Sequence, residues 1–152
     1  MFLHGGWLHL LGNMLYLWIF GDNVEDRLGH TRYLLFYFLC GISATFVHGF
    51  MNLDSQVPVV GASGAIAGVL GAYMVLFPGA RVQTLLILFV FIRVVRIPAI
   101  ILLGYWILIQ ILSATAGYGK ISGGGIAWFA HIGGFAAGLV LVIAMKKRRG
   151  WK

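Results

Sequence analysis

The sequence predicts an all-α, polytopic membrane protein, and three features of its composition support that prediction. Of its 152 residues, 61% are hydrophobic and only 10% are charged, whereas a soluble domain carries about 25% charged residues. The apolar residues form long continuous runs instead of the one-sided stripe of a surface helix. The 22 glycines agree with the same fold class, because small residues let membrane helices pack closely.

Five long apolar runs are predicted to be transmembrane spans. They cover residues 7–21, 33–50, 61–77, 98–112 and 126–145. Together they form a single transmembrane domain, residues 1–152, whose last residues, 146–152, are a basic tail. A sixth run, residues 82–92, is shorter than the roughly 20 residues that a helix needs to cross the hydrocarbon core. We expect that run to be an interfacial or re-entrant segment.

The distribution of positive charge supports five spans. The net charge is +7, with 11 lysines and arginines, and five spans leave all of these except Lys120 on one side of the membrane. Cations concentrate on the cytoplasmic side, so the C-terminus is predicted to be cytoplasmic. We expect the membrane to be a bacterial or archaeal plasma membrane. The cations flank apolar runs, which indicates contact with lipid headgroups and not with nucleic acid. An odd number of spans places Met1 outside, and we expect an upstream span to be missing.

Polar residues within the spans are candidates for function, because unpaired polar groups are costly in hydrocarbon. They are His9, Asn13, Ser43, Thr45, His48, Ser63, Gln110, Ser113 and His131. Four of them are interpreted as contacts between helices: Ser43, Thr45, Gln110 and Ser113. His48, like His4 near the N-terminus, is interpreted as an interfacial residue.

Ser63 and His131 are predicted to be a nucleophile and its general base. Ser63 lies in the segment "GASGAIAGVLG", in which Gly64 and Gly68 are four residues apart. In "WFAHIGGFAAGL", Gly134 and Gly138 share a helix face with His131. Glycine-lined helices can approach closely, and Ser63 and His131 both lie near the outer ends of their spans. A histidine beside a serine can take its proton and return it to the leaving amine. The alternative is that Ser63 only serves helix packing.

His9 and Asn13 are predicted to stabilise the oxyanion of the tetrahedral intermediate. They are four residues apart and therefore share one helix face, and both side chains can donate hydrogen bonds. With the backbone N–H of Ser63 they would supply the donors that such an intermediate needs. Three of the four acidic residues, Asp22, Glu25 and Asp26, are predicted to be cytoplasmic, and Asp54 lies in an outer loop. No carboxylate is therefore expected to orient His131. The prediction is a Ser–His dyad.

Other chemistries lack their residues in this sequence. A metalloprotease needs an H-E-x-x-H string, and an aspartyl protease needs two intramembrane aspartates; the chain has neither. The hydrolase elbow G-x-S-x-G fails at Ala65. We expect no metal and no cofactor. A small channel or transporter would require a continuous polar path across the membrane, whereas the polar residues stop near one side.

The same residues carry a resemblance to the rhomboid intramembrane serine proteases. The matching motifs are "HLLGN" from His9, "GASG" from Gly61, "AHIGGFAAG" from Ala130 and "VEDRLG" from Val24. The resemblance implies a rhomboid-like helical bundle with five of the usual six transmembrane helices. It assigns the nucleophile to Ser63, the base to His131 and the oxyanion donors to His9 and Asn13. His4 and Gly61 are accessory candidates, and Glu25 and Arg27 belong to a structural polar cluster.

The resemblance also implies a substrate and its route. Rhomboid proteases cut within or beside the transmembrane helix of a membrane-anchored substrate, at a site open to water on the outer side. Entry is expected near Tyr105 and Trp106, and residues 113–125 are expected to form a flexible cap over the site. Where some members carry a tyrosine beneath the histidine, this chain has Ala67. The alternative is a catalytically inactive member that binds transmembrane helices as a chaperone or sorting factor.

Overall fold

The computed structural model describes residues 1–53, 58–88, 91–117 and 127–146. Within them the chain is mostly helical, which confirms the all-α membrane fold class. The elements follow in the order α1 (Trp7–Leu28), α2 (His30–Met51), α3 (Ser63–Leu76), β1 (Arg81–Leu88), β2 (Phe91–Pro98), α4 (Ala99–Gly117) and α5 (Trp128–Met145).

The five helices occupy the five segments predicted as spans. By length and composition α2, α4 and α5 could each cross a membrane, whereas α3, with 14 residues, is shorter than that. Helix α1 continues beyond Gly21, the predicted end of the first span, as far as Leu28. The residue after its end is Gly29, whose φ of 83° lies in the left-handed region that glycine adopts without strain.

In the segment 82–92, which we predicted not to span the membrane as a helix, the described residues 82–88 and 91–92 lie in a two-stranded antiparallel sheet. Arg81 stands opposite Pro98 at one end, and Leu88 stands opposite Phe91 at the other. The segment is rich in valine, isoleucine and leucine, and β-branched residues suit the pleated backbone of a strand. The two strands lie between α3 and α4 in the chain. Whether they lie at the membrane interface stays a prediction.

Helix α3 is the centre of the bundle, because its neighbours approach it on several sides. Every residue from Gly64 to Tyr73 is buried. On the α5 side, a Cβ built on Gly138 would overlap the carbonyl of Gly68, and one built on Gly134 would overlap the carbonyl of Gly64. The two backbones are therefore in contact. The predicted close approach of these glycine-lined helices is confirmed.

The direction of the helices brings the candidate residues to one end of the bundle. Helices α1, α3 and α5 begin at that end, and His9, Ser63 and His131 all lie in their first turns. Helix α3 is about 21 Å long at 1.5 Å per residue, compared with about 30 Å for a hydrocarbon core. If its C-terminal end lies at one boundary of the core, Ser63 lies well inside the other.

Candidate active site

Ser63 and His131 are joined by a hydrogen bond. Ser63 is the first residue of α3, and its Oγ lies 2.8 Å from Nε2 of His131 in the first turn of α5. His131 is 8% exposed. The glycine contacts between α3 and α5 explain this geometry, since larger residues there would hold the two helix starts apart. The predicted contact between the two side chains is present, and their catalytic roles stay predictions.

Gln110 of α4 binds the other nitrogen of the same ring. Its Oε1 lies 2.6 Å from Nδ1 of His131, while its Nε2 donates to the carbonyl oxygen of Trp106 at 3.4 Å. An amide oxygen only accepts hydrogen bonds, so Nδ1–H is the donor. In the neutral ring, Nε2 then accepts a hydrogen bond from the hydroxyl of Ser63. This is the tautomer that a general base at Nε2 requires.

The interpretation of Gln110 as a helix-to-helix contact was incomplete. It does join α4 to α5, but its partner is the candidate base itself. The sequence feature that could have indicated this role is a polar residue, Gln110, in an otherwise apolar helix. Gln110 follows Trp106 by four residues and therefore lies on the same face. The sequence does not say which way that face turns.

Trp106 packs against the imidazole ring. The ring centroids of Trp106 and His131 lie 5.6 Å apart, and Trp106 also contacts Phe135 at 6.2 Å. An aromatic ring from α4 thus lies beside the histidine, in a chain that has alanine and not tyrosine at position 67. The neighbouring Tyr105 is 64% exposed. The role of these two residues at a substrate entrance stays a prediction.

His9 and Asn13 face the turn that leads into Ser63. A Cβ built on Gly61 would lie 2.7 Å from Nε2 of His9 and 3.6 Å from Nδ2 of Asn13. Gly61 itself has a φ of 110°. Both the backbone conformation and the space therefore require a glycine here. The structure thus brings Gly61 together with the two predicted oxyanion donors.

Both side chains have a nitrogen near that turn that can donate a hydrogen bond. The backbone N–H of Gly5 donates to Nδ1 of His9 at 3.4 Å, so a neutral His9 ring carries its proton on Nε2, the nitrogen nearest Gly61. Asn13 is 8% exposed, and its Nδ2 has no hydrogen-bond partner among the described residues. His4 stacks edge-on against His9, with ring centroids 5.2 Å apart.

A small cavity borders Ser63 on the side of α2. Its volume is about 20 Å³, and Gly61, Ala44 and Thr45 are among its lining residues. A cavity of this size holds about one water molecule. The hydroxyl of Thr45 donates to the carbonyl of Gly41 in its own helix at 2.9 Å, so this hydrogen bond is not the helix-to-helix contact that we predicted.

The remaining predictions concern the loops and the far end of the bundle. Glu25 binds His30, with 2.6 Å between Oε1 and Nδ1, and Arg27 lies over the ring of Phe77 at 5.1 Å. His48 lies in the last turn of α2. The predicted cap began at Ser113, but α4 continues through Gly117. The rest of that cap and the basic tail after residue 146 lie outside the described residues.

Comparison with known proteins identifies the family. Residues 1–148 match the Rhomboid domain model. The chain is 34% identical over 152 residues to RHOMBOID-like protein 4 of Arabidopsis thaliana, covering 98% of the chain and 34% of that protein. It is 32% identical over 145 residues to Rhomboid protein 1, mitochondrial, of Saccharomyces cerevisiae, covering 91% of the chain and 38% of that protein.

A bacterial relative is named as a protease. Over 75 residues the chain is 45% identical to Rhomboid protease GluP of Bacillus subtilis, covering 47% of the chain and 14% of that protein. The chain thus spans little more than a third of the Arabidopsis and yeast relatives, and less of the bacterial one. The family model covers almost the whole chain, and the helices agree with it. The chain therefore belongs to the rhomboid family of integral membrane proteins.

Proposed function

We propose that this chain is an intramembrane serine endopeptidase that works through a Ser63–His131 dyad. The observation that carries the proposal is the 2.8 Å hydrogen bond from Ser63 Oγ to Nε2 of His131, in a ring whose Nδ1 already has an acceptor. A serine and a histidine in this arrangement are the minimum for nucleophilic acyl transfer. The name of the bacterial relative, Rhomboid protease GluP, agrees with that chemistry.

The proposed reaction begins with proton transfer. As Oγ of Ser63 bonds to the carbonyl carbon of the scissile peptide, its proton passes to Nε2 of His131. The tetrahedral intermediate then collapses, the C–N bond breaks, and the imidazolium gives its proton to the leaving amine. A water molecule attacks the resulting ester while His131 takes one of its protons. Return of that proton to Oγ releases the acid and restores the dyad.

The negative charge of the intermediate would lie at the start of α3. Among the described residues, no side chain caps the start of α3 at Ala62, and the first N–H groups of a helix have no partner within the helix. The helix dipole adds partial positive charge at the same place. We propose that the backbone N–H of Ser63, Nε2–H of His9 and Nδ2 of Asn13 bind the oxyanion, with Gly61 keeping the space between them open.

The proposed substrates are transmembrane segments of membrane-anchored proteins. The short α3 would leave Ser63 below the outer surface of the bilayer, at the depth of a substrate's transmembrane helix, and lipids would surround the rest of the bundle. Substrates would enter beside Tyr105. We place the C-terminus in the cytoplasm because of the charge bias. A bacterial or archaeal plasma membrane is our proposed location, although the relatives named above come from a plant, a yeast and a bacterium.

A fluorophosphonate probe tests the proposal. It should label the purified chain in detergent micelles, and Ser63→Ala should abolish labelling together with cleavage of a transmembrane reporter substrate. Ser43→Ala is the matched control, because it removes a serine hydroxyl from α2 without touching the proposed dyad. The same assay on a form extended upstream in the gene would show whether a preceding span is needed for activity.

Two outcomes would contradict the assignment. Labelling that survives Ser63→Ala would place the reactive group elsewhere. A folded wild-type chain, with or without an upstream extension, that binds transmembrane peptides but neither reacts with the probe nor cleaves them would support the alternative function. The chain would then be a catalytically inactive rhomboid protein that recognises membrane helices.

A further inference from the structure

We infer that Gln110 is a positioning residue for His131, taking through a neutral amide the part that a carboxylate takes in a Ser–His–Asp triad. The inference rests on the proposed function, because it assigns Gln110 a place in that reaction. Its basis is the 2.6 Å hydrogen bond between Gln110 Oε1 and Nδ1 of His131. The sequence offered no acidic residue for this position, and α4 supplies an amide instead.

The orientation of the amide follows from its second partner. Nε2 of Gln110 donates to the carbonyl oxygen of Trp106, and a carbonyl oxygen cannot accept from Oε1. The oxygen must therefore face His131. Trp106 also packs beside the imidazole, with the two ring planes tilted by 38°. One turn of α4 thus holds the ring in two ways, through its face and through its Nδ1–H.

Burial makes this hydrogen bond effective. Gln110 is 6% exposed and His131 is 8% exposed, so bulk water competes little for Nδ1–H. A hydrogen bond is electrostatically stronger in such surroundings than in water. Without the amide oxygen, the neutral ring could place its proton on either nitrogen. With the proton on Nε2, the ring has no lone pair there to accept the proton of Ser63.

A neutral acceptor also suits the membrane. A buried carboxylate has a large desolvation penalty that only a well-formed charge pair offsets. An amide oxygen fixes the tautomer without that penalty. When His131 becomes an imidazolium during the reaction, the hydrogen bond from Nδ1–H becomes charge-assisted and strengthens. The interaction is therefore stronger in the transition state than in the substrate complex, which predicts an effect on kcat and not on KM.

Two substitutions of similar length separate positioning from packing. Gln110→Met fills the same space but loses the amide oxygen, and we expect kcat to fall about 10- to 100-fold, since a hydrogen bond to a charged group is worth roughly 1.5–3 kcal/mol. KM should change less than about twofold. Gln110→Glu keeps the length of the side chain, but a carboxyl group buried here favours its protonated form and can donate to Nδ1, so we expect its kcat to stay below that of the wild type.

Thr115→Val is the matched control on the same helix. The hydroxyl of Thr115 donates to the carbonyls of Ile111 and Leu112 at 3.1 Å and 2.9 Å, so removing it changes α4 without changing the ring of His131. We expect wild-type kcat. Thermal unfolding in micelles checks that each variant folds. A folded Gln110→Met variant with wild-type kcat would overturn the inference.

A second measurement decides the inference without activity. NMR of the ¹⁵N-histidine-labelled chain reports which ring nitrogen carries the proton, with the His131 signal identified by its loss in His131→Ala. We expect the proton on Nδ1 in the wild type and a mixture of tautomers in Gln110→Met. A wild-type proton on Nε2 would overturn the inference. A fixed Nδ1–H that depends on Gln110, in a chain that never reacts with the probe, would overturn the proposed function alone.

Discussion

The two sides of Ser63 differ in how completely their hydrogen bonds are formed. On the base side, both ring nitrogens of His131 have partners, and Gln110 has one at each end of its amide. On the donor side, Nδ2 of Asn13 and Nε2 of His4 are buried without a partner among the described residues. Buried donors are nearly always paired in proteins. A free donor is what an oxyanion that forms only in the transition state would need.

The two sides are also held in place differently. The base side depends on backbone contact, because α3 and α5 touch through their glycines. On the donor side, α1 contacts α3 through Phe20 and Tyr73, whose ring centroids lie 5.0 Å apart, far along the helix from His9. Near His9 the outer face of α1 is exposed, with Leu8 88% accessible. We therefore expect substitutions on the base side to destabilise the fold, and substitutions on the donor side to lower kcat.

The largest expected effect is Gly138→Val, which attacks the backbone contact on the base side. A Cβ at Gly138 would meet the backbone of Gly68, and overpacking of a tight interface destabilises proteins by about 1–3 kcal/mol or more. Thermal unfolding in micelles should show a clear loss of stability, with loss of probe labelling at Ser63. Gly104→Ala is the control, since nothing described lies within 4 Å of a Cβ there. Equal stability of the two variants would refute the contact.

Next is Asn13→Ala, which removes one donor from the other side. We expect kcat to fall about 10- to 1000-fold with a small change in KM, because one such donor is worth roughly 2–4 kcal/mol in the transition state. Since Nδ2 of Asn13 has no partner among the described residues, its loss should leave the melting temperature nearly unchanged. A large loss of stability with normal kcat would make Asn13 a structural residue.

Gly61→Ala should have a moderate effect on the same side. Alanine at a φ of 110° is strained by about 1–3 kcal/mol, and its Cβ would press on Nε2 of His9. We expect lower stability together with lower kcat. Gly29→Ala shares the strain, at a φ of 83°, but lies at the opposite end of α1 from His9. It should lower the melting temperature and leave kcat unchanged. Identical kinetics for both variants would show that Gly61 matters only as a turn.

The smallest expected effect belongs to Thr45→Val, which tests whether α2 takes any part in the chemistry. Thr45 borders the cavity beside Ser63, but its hydroxyl is already bound to the carbonyl of Gly41. We expect kcat to change less than about twofold and stability by no more than about 0.5 kcal/mol. A tenfold fall in kcat would show that Thr45 of α2 also contributes to the reaction.

The sequence by itself determined the membrane class, the five helical segments and the approach of α3 to α5. Composition and charge bias predict the first two, and glycines at an interval of four predict the third, because only glycine permits backbone contact. The pairing of Ser63 with His131 follows from that contact. The sequence predicted an interfacial or re-entrant segment at residues 82–92 and did not predict the paired strands β1 and β2, since periodicity alone does not tell a short apolar strand from a short apolar helix.

Only the tertiary structure decided how α4 is rotated. Its buried residues, Ala99, Leu103, Gln110 and Ala114, lie on one face, yet the other faces are just as apolar. In a water-soluble helix the polar side marks the surface, whereas in lipid both surroundings favour the same residues. The contacts of Gln110 and Trp106 with His131 therefore could not be derived from the pattern of α4. They depend on which face of that helix turns toward α5, and packing alone sets that choice.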